Sequence, residues 1–323
     1  MSVQPTPDRT TSSTNQASSI QSDSLRAQIF QRLHPHAYLD RFLIEGVRPD
    51  GRTPDEWRDV FINVGSISTA DGSALVRIGG TTIVCGVKAE IAEPELDIPD
   101  QGFLVPNIDL PAICSPKFKP GPPSEEAQVL SERLNAALIS AQLLPLTTLC
   151  IAPGRSVWCL YVDATCISYD GNVFDAALLA MVAALRNTTL PDATYNDEMG
   201  RTTCRSRTAR HPLVLNEDRI VVGLSFGVVP TPDIPPGLDT GGGKDGPRTF
   251  GPTLLTDPTA FEEPLLARDF TVIVDSQGRI VSVEGGVCGE SSTDHGQEDG
   301  GGFIERSIRA AQERAKTLHQ LLR

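Results

Sequence analysis

The sequence predicts an α+β fold of two subdomains, each a mixed β-sheet with packed helices. Two strand-like runs flank Gly79-Gly80, a two-residue turn that accepts positive φ, and so predict a β-hairpin. The nearly continuous apolar run at 157–167 is typical of a central strand covered on both faces. In the second half, several strand-like runs precede one long helical pattern, and this order favours α+β over an alternating α/β fold.

In the first half, the hairpin strands are expected at 73–78 and 81–88, with 58–67 paired beside them. Ser124 is the predicted N-cap of a helix with apolar residues at helical spacing, and Glu125 and Glu126 suit the positive end of its dipole. The segment from Asn172 to about residue 186 is apolar nearly all round. We therefore expect a helix buried between layers.

In the second half, strands are predicted at 219–226, 254–256, 270–275 and 279–284, with a turn from Asp275 to Gly278 between the last two. A closing helix is predicted from Phe303. Its single apolar face consists of Ile304, Ile308, Ala311, Ala315, Leu318 and Leu322.

Three segments have compositions that predict flexibility. Residues 1–28 are rich in Ser, Thr and Gln and are expected to be a disordered tail, 230–252 is a Pro- and Gly-rich insertion, and 289–302 is Gly-rich and acidic. The predicted organisation is subdomain 1 at 35–190, a basic connector at 191–212, and subdomain 2 at 213–323 containing the insertion.

The acidic balance limits the classes of function. A net charge of −13 argues against a protein that binds nucleic acid alone, because neutralising phosphates requires a surplus of Lys and Arg on one face. Seven cysteines without metal-ligand spacing predict buried free thiols of a reducing compartment, with no metal or cofactor. No apolar stretch reaches the roughly 18 residues of a membrane span, and no signal peptide is evident. A nuclear or cytosolic protein is expected.

The junction at Asp170-Gly-Asn172 predicts a strand turning into a helix, where the first N–H groups of the helix can bind an anion. The neighbouring side chains do not support this chemistry, because Val173 and Phe174 offer neither a hydroxyl nor a cation. Asp175 is placed to fold back onto the helix end as a capping box. The junction has the architecture of a phosphate site without its ligands.

Five separated motifs stand out along the chain. They are Arg48-Pro-Asp-Gly-Arg52, Ser66-Ile-Ser-Thr-Ala-Asp-Gly-Ser-Ala74, Gly80-Thr-Thr-Ile-Val-Cys-Gly-Val-Lys-Ala-Glu90, Pro120-Gly-Pro-Pro-Ser-Glu-Glu-Ala127 and Tyr169-Asp-Gly-Asn172. Together they resemble the RNase PH family, and within it the ring subunits of the eukaryotic RNA exosome. The resemblance covers about residues 35–323. It implies an RNase PH fold, a six-membered ring and a channel for single-stranded RNA.

Active members of this family cleave RNA from its 3′ end by attack of phosphate, which they hold at a Gly-Thr-Arg or Gly-Ser-Arg turn. In this chain the turn corresponds to Asn172, Val173 and Phe174, so both phosphate ligands are missing. The family's acidic pair corresponds to Asp257 and Glu263, which could protonate a leaving oxygen or hold Mg²⁺. A turn acid and a surface glutamate are the simpler interpretation of these two residues.

Several cations are candidates for RNA contact. The loop that carries Lys117 and Lys119 faces the channel entrance in family members, and Phe118 between them is expected to pack rather than stack on a base. Arg77, in the middle of the hairpin, could line the channel or an interface. The connector can contact phosphates or form interface ion pairs. The full set is Lys117, Lys119, Arg77, Arg205, Arg207 and Arg210.

The motifs imply a non-catalytic structural subunit of the exosome ring, which supports 3′-to-5′ RNA processing by scaffolding and by guiding RNA. The expected partners are other RNase PH-like subunits, RNA-binding cap subunits, a catalytic exoribonuclease subunit and single-stranded RNA. The expected location is the nucleus, nucleolus and cytoplasm. The alternative is a phosphorolytic exoribonuclease with a site shared with a neighbour. A stand-alone RNA-binding adaptor is disfavoured by the acidic charge.

Overall fold

The computed structural model describes residues 25–204, 209–230, 252–285 and 300–322. The chain divides into two compact units, residues 1–54 with 230–253 and residues 55–229 with 254–323. The predicted tail up to residue 24, nearly all of the predicted insertion, and 289–299 of the acidic segment lie outside the described residues.

The described part of the first unit is mainly helical. Residues 25–33 (α1) and Pro35–Ile44 (α2) form helices, so the prediction of a disordered tail is wrong for 25–28. The first family motif then forms a tight turn. Its Gly51 N–H donates to the Arg48 carbonyl at 2.9 Å, and φ at Gly51 is +89°, a value that favours glycine.

A six-stranded mixed sheet forms the first layer of the second unit. In sheet order β1-β2-β3-β6-β4, with β5 also paired to β6, only the β4–β6 pair is parallel. The predicted hairpin is confirmed as β2 and β3. The strands are β1 (Val60–Val64), β2 (Gly72–Ile78), β3 (Thr81–Ala92), β4 (Phe103–Asp109), β5 (Cys150–Ala152) and β6 (Ser156–Ser168).

The central strand β6 is covered on both faces only in its first part. Residues 156–160 are all buried, but Tyr161, Asp163 and Ile167 are exposed, while Val162 and Cys166 remain buried. The expectation of two covered faces is therefore wrong for the second part of the strand. There the alternation of side chains leaves one face to solvent.

Two helices pack with this sheet. Helix α3 (Glu125–Ala141) begins as predicted, since the N–H of Ala127 donates to Ser124 Oγ at 3.2 Å. Helix α4 (Val173–Asn187) is buried along residues 173–185 and contacts strands of both sheets, so the predicted position between layers is confirmed.

The second sheet is four-stranded, in the order β12-β11-β13-β14. The predicted turn is confirmed, because the Gly278 N–H donates to the Asp275 carbonyl at 3.0 Å. Helix α5 (Gly300–Leu322) begins three residues before the predicted start, and one hydrophobic core joins both sheets, α4 and α5. The strands are β11 (Val221–Val229), β12 (Thr253–Thr256), β13 (Arg268–Asp275) and β14 (Ile280–Gly285).

The predicted basic connector contains paired strands. Strand β7 (Thr189–Pro191) pairs with β10 (Arg210–Pro212), and β8 (Ala193–Asn196) pairs with β9 (Arg201–Cys204), both antiparallel. These ladders satisfy backbone groups that a plain linker would leave to water. None of the helices in the described ranges is long and apolar enough to cross a membrane.

Strand β2 passes close to the end of α4 at Gly72. A Cβ at this position would lie 2.1 Å from Thr188 Oγ1 and 2.7 Å from the Ala184 carbonyl oxygen, so we expect Gly72→Ala to lower the free energy of unfolding by about 1–3 kcal/mol. Gly302→Ala in α5 is the control, because nothing lies within 4 Å of its Cβ. Urea unfolding that gave equal losses for both variants would contradict this packing.

Candidate functional site

The turn between β6 and α4 is held by close backbone packing. At Gly171, φ is +76°, and a Cβ would lie 2.4 Å from the Ala260 nitrogen and 2.5 Å from the Thr259 carbonyl carbon. Only glycine fits a left-handed conformation against another backbone. Asn172 follows with φ of +51°, also left-handed, a conformation that asparagine tolerates. The loop at 258–260 thus lies directly against the turn.

The first two positions of α4 are apolar and almost fully buried. Val173 and Phe174 are each only 4% exposed. The guanidinium of Arg133, on α3, lies over the Phe174 ring with its carbon 4.5 Å from the ring centre, and its Nε is 3.0 Å from Glu284 Oε2. The cation that lies over Phe174 is therefore engaged with an aromatic ring and a carboxylate.

A buried ion pair lies beside the turn. Arg58 donates to Asp257 through Nε at 2.8 Å and Nη2 at 2.6 Å, a bidentate geometry between side chains that are 7% and 2% exposed. Its Nη1 donates to the Asp170 carbonyl at 2.7 Å. Burial disfavours the charged guanidinium, but the hydrogen bond and charge of Asp257 outweigh it, and the pKa of Arg58 is raised.

Asn172 connects the acidic residues of the site. Its Nδ2 donates to Asp257 Oδ1 at 2.6 Å and to Asp175 Oδ2 at 2.7 Å, and its backbone N–H donates to Glu263 Oε1 at 2.7 Å. The two acids of the predicted pair therefore meet on the same residue, one on the side chain and one on the backbone.

The predicted capping box at Asp175 is wrong. Its carboxylate accepts the Ser225 N–H at 2.7 Å and the Ser225 hydroxyl at 2.8 Å, so it binds β11 and the Asn172 side chain rather than the Asn172 backbone N–H. Glu263 accepts the Asn172 N–H instead. Burial raises the pKa of Asp175 to about 6, although the hydrogen bonds from Asn172 and Ser225 favour its charged form.

Glu263 is also engaged by Tyr169, whose hydroxyl donates to Oε2 at 2.7 Å. Burial raises the pKa of Glu263, while the two hydrogen bonds that it accepts act in the opposite direction. Burial and the nearby Glu263 carboxylate raise the pKa of Tyr169. Tyr169 and Glu263 therefore hold each other in place beside the turn.

A cavity of about 920 Å³ opens beside this network, lined by α3, the start of α4, strands β11 and β13, and the loop at 258–266. Lys117 borders it, with Nζ 2.9 Å from Glu126 Oε1 and 5.3 Å from the centre of the Tyr169 ring. Phe118 is buried and packs edge-on against Tyr169, as expected.

The other candidates for RNA contact lie in different environments. Lys119 is exposed, and Arg77 is exposed with Nε donating to the Gly79 carbonyl at 2.9 Å. Arg210 is half-buried and bonds Asp71 Oδ1 at 2.5 Å and Thr189 Oγ1 at 2.9 Å, so it binds the connector to the first sheet. Arg205 and Arg207 lie outside the described residues.

Sequence reasoning missed Arg58, Ser225 and Tyr169 as members of the site. The bond between Arg58 and Asp257 spans 199 positions, and no local spacing indicates it. Tyr169 belonged to a recognised motif and could have been found there. No group of three or more His, Cys, Asp or Glu side chains in the described ranges is arranged to hold a metal ion.

The ion pair gives a clear expectation for stability. Asp257→Asn should lower the free energy of unfolding by about 3–5 kcal/mol, because the buried charge of Arg58 loses the carboxylate that accepts its bidentate pair of hydrogen bonds. Asp170→Asn is the control, since that carboxylate is 47% exposed and 3.7 Å from Arg58. Chemical denaturation measures both, and a small loss for Asp257→Asn would contradict the assigned role.

Asp175 predicts a pH dependence. Its pKa is higher in the folded protein, about 6, than the ordinary 3.8, so its contribution to stability is highest below about pH 4 and is lost as pH rises through about 6. Asp175→Asn should remove this loss, because an amide can accept from Ser225 and Asn172 and donate to the Ser225 hydroxyl. Between about pH 4.5 and pH 8, the free energy of unfolding of the variant should rise by about 2 kcal/mol relative to that of the native protein.

The matched control for this pH series is Asp163→Asn, at an exposed carboxylate of β6. Stability is measured by urea unfolding at each pH. The urea midpoint of Asp163→Asn should stay close to that of the native protein from about pH 4.5 to pH 8. A constant difference between Asp175→Asn and the native protein at every pH would refute the raised pKa.

Comparison with known proteins places this geometry in a family. The family described as "3' exoribonuclease family, domain 1" (RNase PH) matches residues 56–191. The Exosome complex component rrp43 of Schizosaccharomyces pombe is 39% identical over 266 residues, which cover 82% of this chain and 90% of that protein. The Exosome complex component Rrp42 of Thermococcus gammatolerans is 34% identical over 250 residues, 76% of this chain and 81% of that protein.

A solved structure described as the Archaeoglobus fulgidus exosome with RNA bound to the active site superposes with a TM-score of 0.69 at 26% identity. It covers 93% of this chain and 100% of its own. These matches confirm the α+β RNase PH fold and the resemblance to exosome ring subunits drawn from the motifs. The chain therefore belongs to the RNase PH family.

Proposed function

We propose that this protein is a non-catalytic structural subunit of an RNA exosome ring. In this role it supports 3′-to-5′ processing and degradation of RNA, including maturation of ribosomal RNA and turnover of messenger and non-coding RNA, by scaffolding and by guiding RNA. The relatives named as exosome components and the superposition on an RNA-bound exosome structure support the assembly.

The start of α4 carries the non-catalytic part of the proposal. Phosphorolysis needs a cation and a hydroxyl to hold the attacking phosphate, because this phosphate is an anion that approaches the anionic RNA backbone. Val173 and Phe174 supply neither, and both are buried. Losing one such ligand lowers the rate of catalysis by roughly 10²–10³, and here both ligand positions lack a suitable side chain.

The acidic pair offers no compensation for these losses. Asp257 is neutralised by Arg58 and also accepts from Asn172, while Glu263 accepts from Asn172 and Tyr169. A general acid must be free to deliver its proton, and a metal ligand must keep open lone pairs. Asp257 and Glu263 are therefore assigned structural roles in this proposal.

The proposed partners are other RNase PH-like subunits in a six-membered ring, RNA-binding cap subunits, a catalytic exoribonuclease subunit, and single-stranded RNA in the channel. Lys119 and Arg77 remain the best candidates for RNA contact because both are exposed. Arg210 stays a candidate, with its guanidinium also bonded to Asp71. The proposed locations, nucleus, nucleolus and cytoplasm, can be tested by imaging the tagged protein.

The alternative is a phosphorolytic site completed by an arginine from a neighbouring subunit. Such an arginine would still have to displace Phe174 from the core and free Asp257 from Arg58. One measurement of phosphate-dependent RNA shortening tests both functions.

We expect no phosphate-dependent shortening of RNA by this protein. The measurement is release of nucleoside diphosphates from labelled single-stranded RNA by a reconstituted ring in which the phosphate ligands of every other RNase PH-like subunit are mutated and the catalytic exoribonuclease subunit is omitted. Phosphorolysis in that ring would establish the alternative, and its loss on Asp257→Asn in a folded ring would assign that residue.

Restoring the two family ligands should not restore activity. Val173→Thr with Phe174→Arg places a cation in a buried site beside Arg133, and leaves Glu263 on the Asn172 N–H and Asp257 on Arg58. We therefore expect the same absence of nucleoside diphosphate release as in the native protein. Activity gained by this double variant would show that the helix start alone limits catalysis.

A further inference from the structure

The cavity beside α4 has an apolar wall. Its side chains take no part in the hydrogen-bonded network around Asn172. The cavity is about 920 Å³, the size of a site for a medium-sized ligand or a short peptide segment. Its apolar lining comes from α3, α4, β11 and the loop at 258–266. It includes Val129, Leu130, Val173, Phe174, Phe226 and Leu266. Val129 is 54% exposed, so part of this wall is open to solvent.

The charged lining of the cavity is acidic overall. Four carboxylates, of Glu125, Glu126, Glu263 and Asp269, face two cations, of Lys117 and Arg133, for a net charge of −2. Both cations are already paired, Lys117 with Glu126 at 2.9 Å and Arg133 with Glu284 at 3.0 Å. The potential of the cavity is therefore set by its carboxylates.

Two of these carboxylates are exposed and available. Glu125 and Asp269 lie on the border of the cavity, and neither makes an ion pair with any residue in the described ranges. A polyanion such as RNA would meet like charge here, in a chain that already carries −13. A cationic ligand would meet complementary charge beside an apolar wall.

We infer that this cavity binds an extended segment of a partner protein, with apolar side chains against the wall and Lys or Arg side chains at Glu125 and Asp269. The inference rests on the proposed structural role, since it assigns the cavity beside the degenerate turn to protein rather than RNA. Apolar anchors flanked by charges are a common composition for peptide-binding grooves.

The test uses the full chain and a short fluorescent peptide of alternating Leu and Lys, with fluorescence anisotropy as the readout. We expect Glu125→Gln with Asp269→Asn to weaken binding at least about fivefold at low salt, because two complementary charges are lost. Val129→Gln should also weaken binding, because it removes apolar wall. A peptide of alternating Leu and Glu should not bind.

The matched control is Glu95→Gln with Asp97→Asn, which removes the same charge from exposed acids outside the cavity. Equal weakening by both double variants would show general attraction to an acidic protein and overturn the inference. Oligouridine binding that Val129→Gln abolishes would also overturn it, in favour of RNA.

If the first double variant fails to fold, each single substitution is tested with the same peptide. Loss of peptide binding alone leaves the proposed function intact, because phosphorolysis is measured separately in the ring. Phosphorolysis by the ring overturns the proposed function whatever the peptide does.

Discussion

The buried ion pair between Arg58 and Asp257 is the interaction on which the site depends. Arg58 precedes β1 of the first sheet, and Asp257 follows β12 of the second, so the pair joins two sheets at the turn between β6 and α4. The same guanidinium holds the Asp170 carbonyl, and the same carboxylate holds Asn172. Such a pair costs desolvation, but removing either partner leaves an uncompensated charge, so the arrangement resists partial change.

This arrangement gives Asp257 and Glu263 packing roles that do not depend on catalysis. A carboxylate that neutralises a buried arginine is needed for packing whether or not a phosphate arrives. Glu263 is held in the same way, since it accepts the backbone N–H of Asn172, the N-cap of α4, where an anion could otherwise approach. The protein's own carboxylate thus occupies part of the electropositive helix end.

Local signals in the sequence predicted most of the elements but little of the network. The Gly79-Gly80 hairpin, the Ser124 cap and helix α4 depend on neighbours within one turn or one strand, and all three are found. Ser225, which bonds Asp175, and Arg58, which bonds Asp257, lie 50 and 199 positions from them, where spacing carries no information. The capping box at Asp175 was wrong because a tertiary contact with Ser225 replaced a local one.

The burial of Phe174 makes the apolar start of α4 part of the core itself. An exposed ligand could be lost and regained with little effect on folding, but Phe174 is 4% exposed and lies beneath Arg133. An arginine at that position would bury a positive charge beside that of Arg133. A threonine at Val173 would bury a hydroxyl that needs a hydrogen-bond partner. Stability and phosphate binding therefore oppose each other at these two positions, and the structure favours stability.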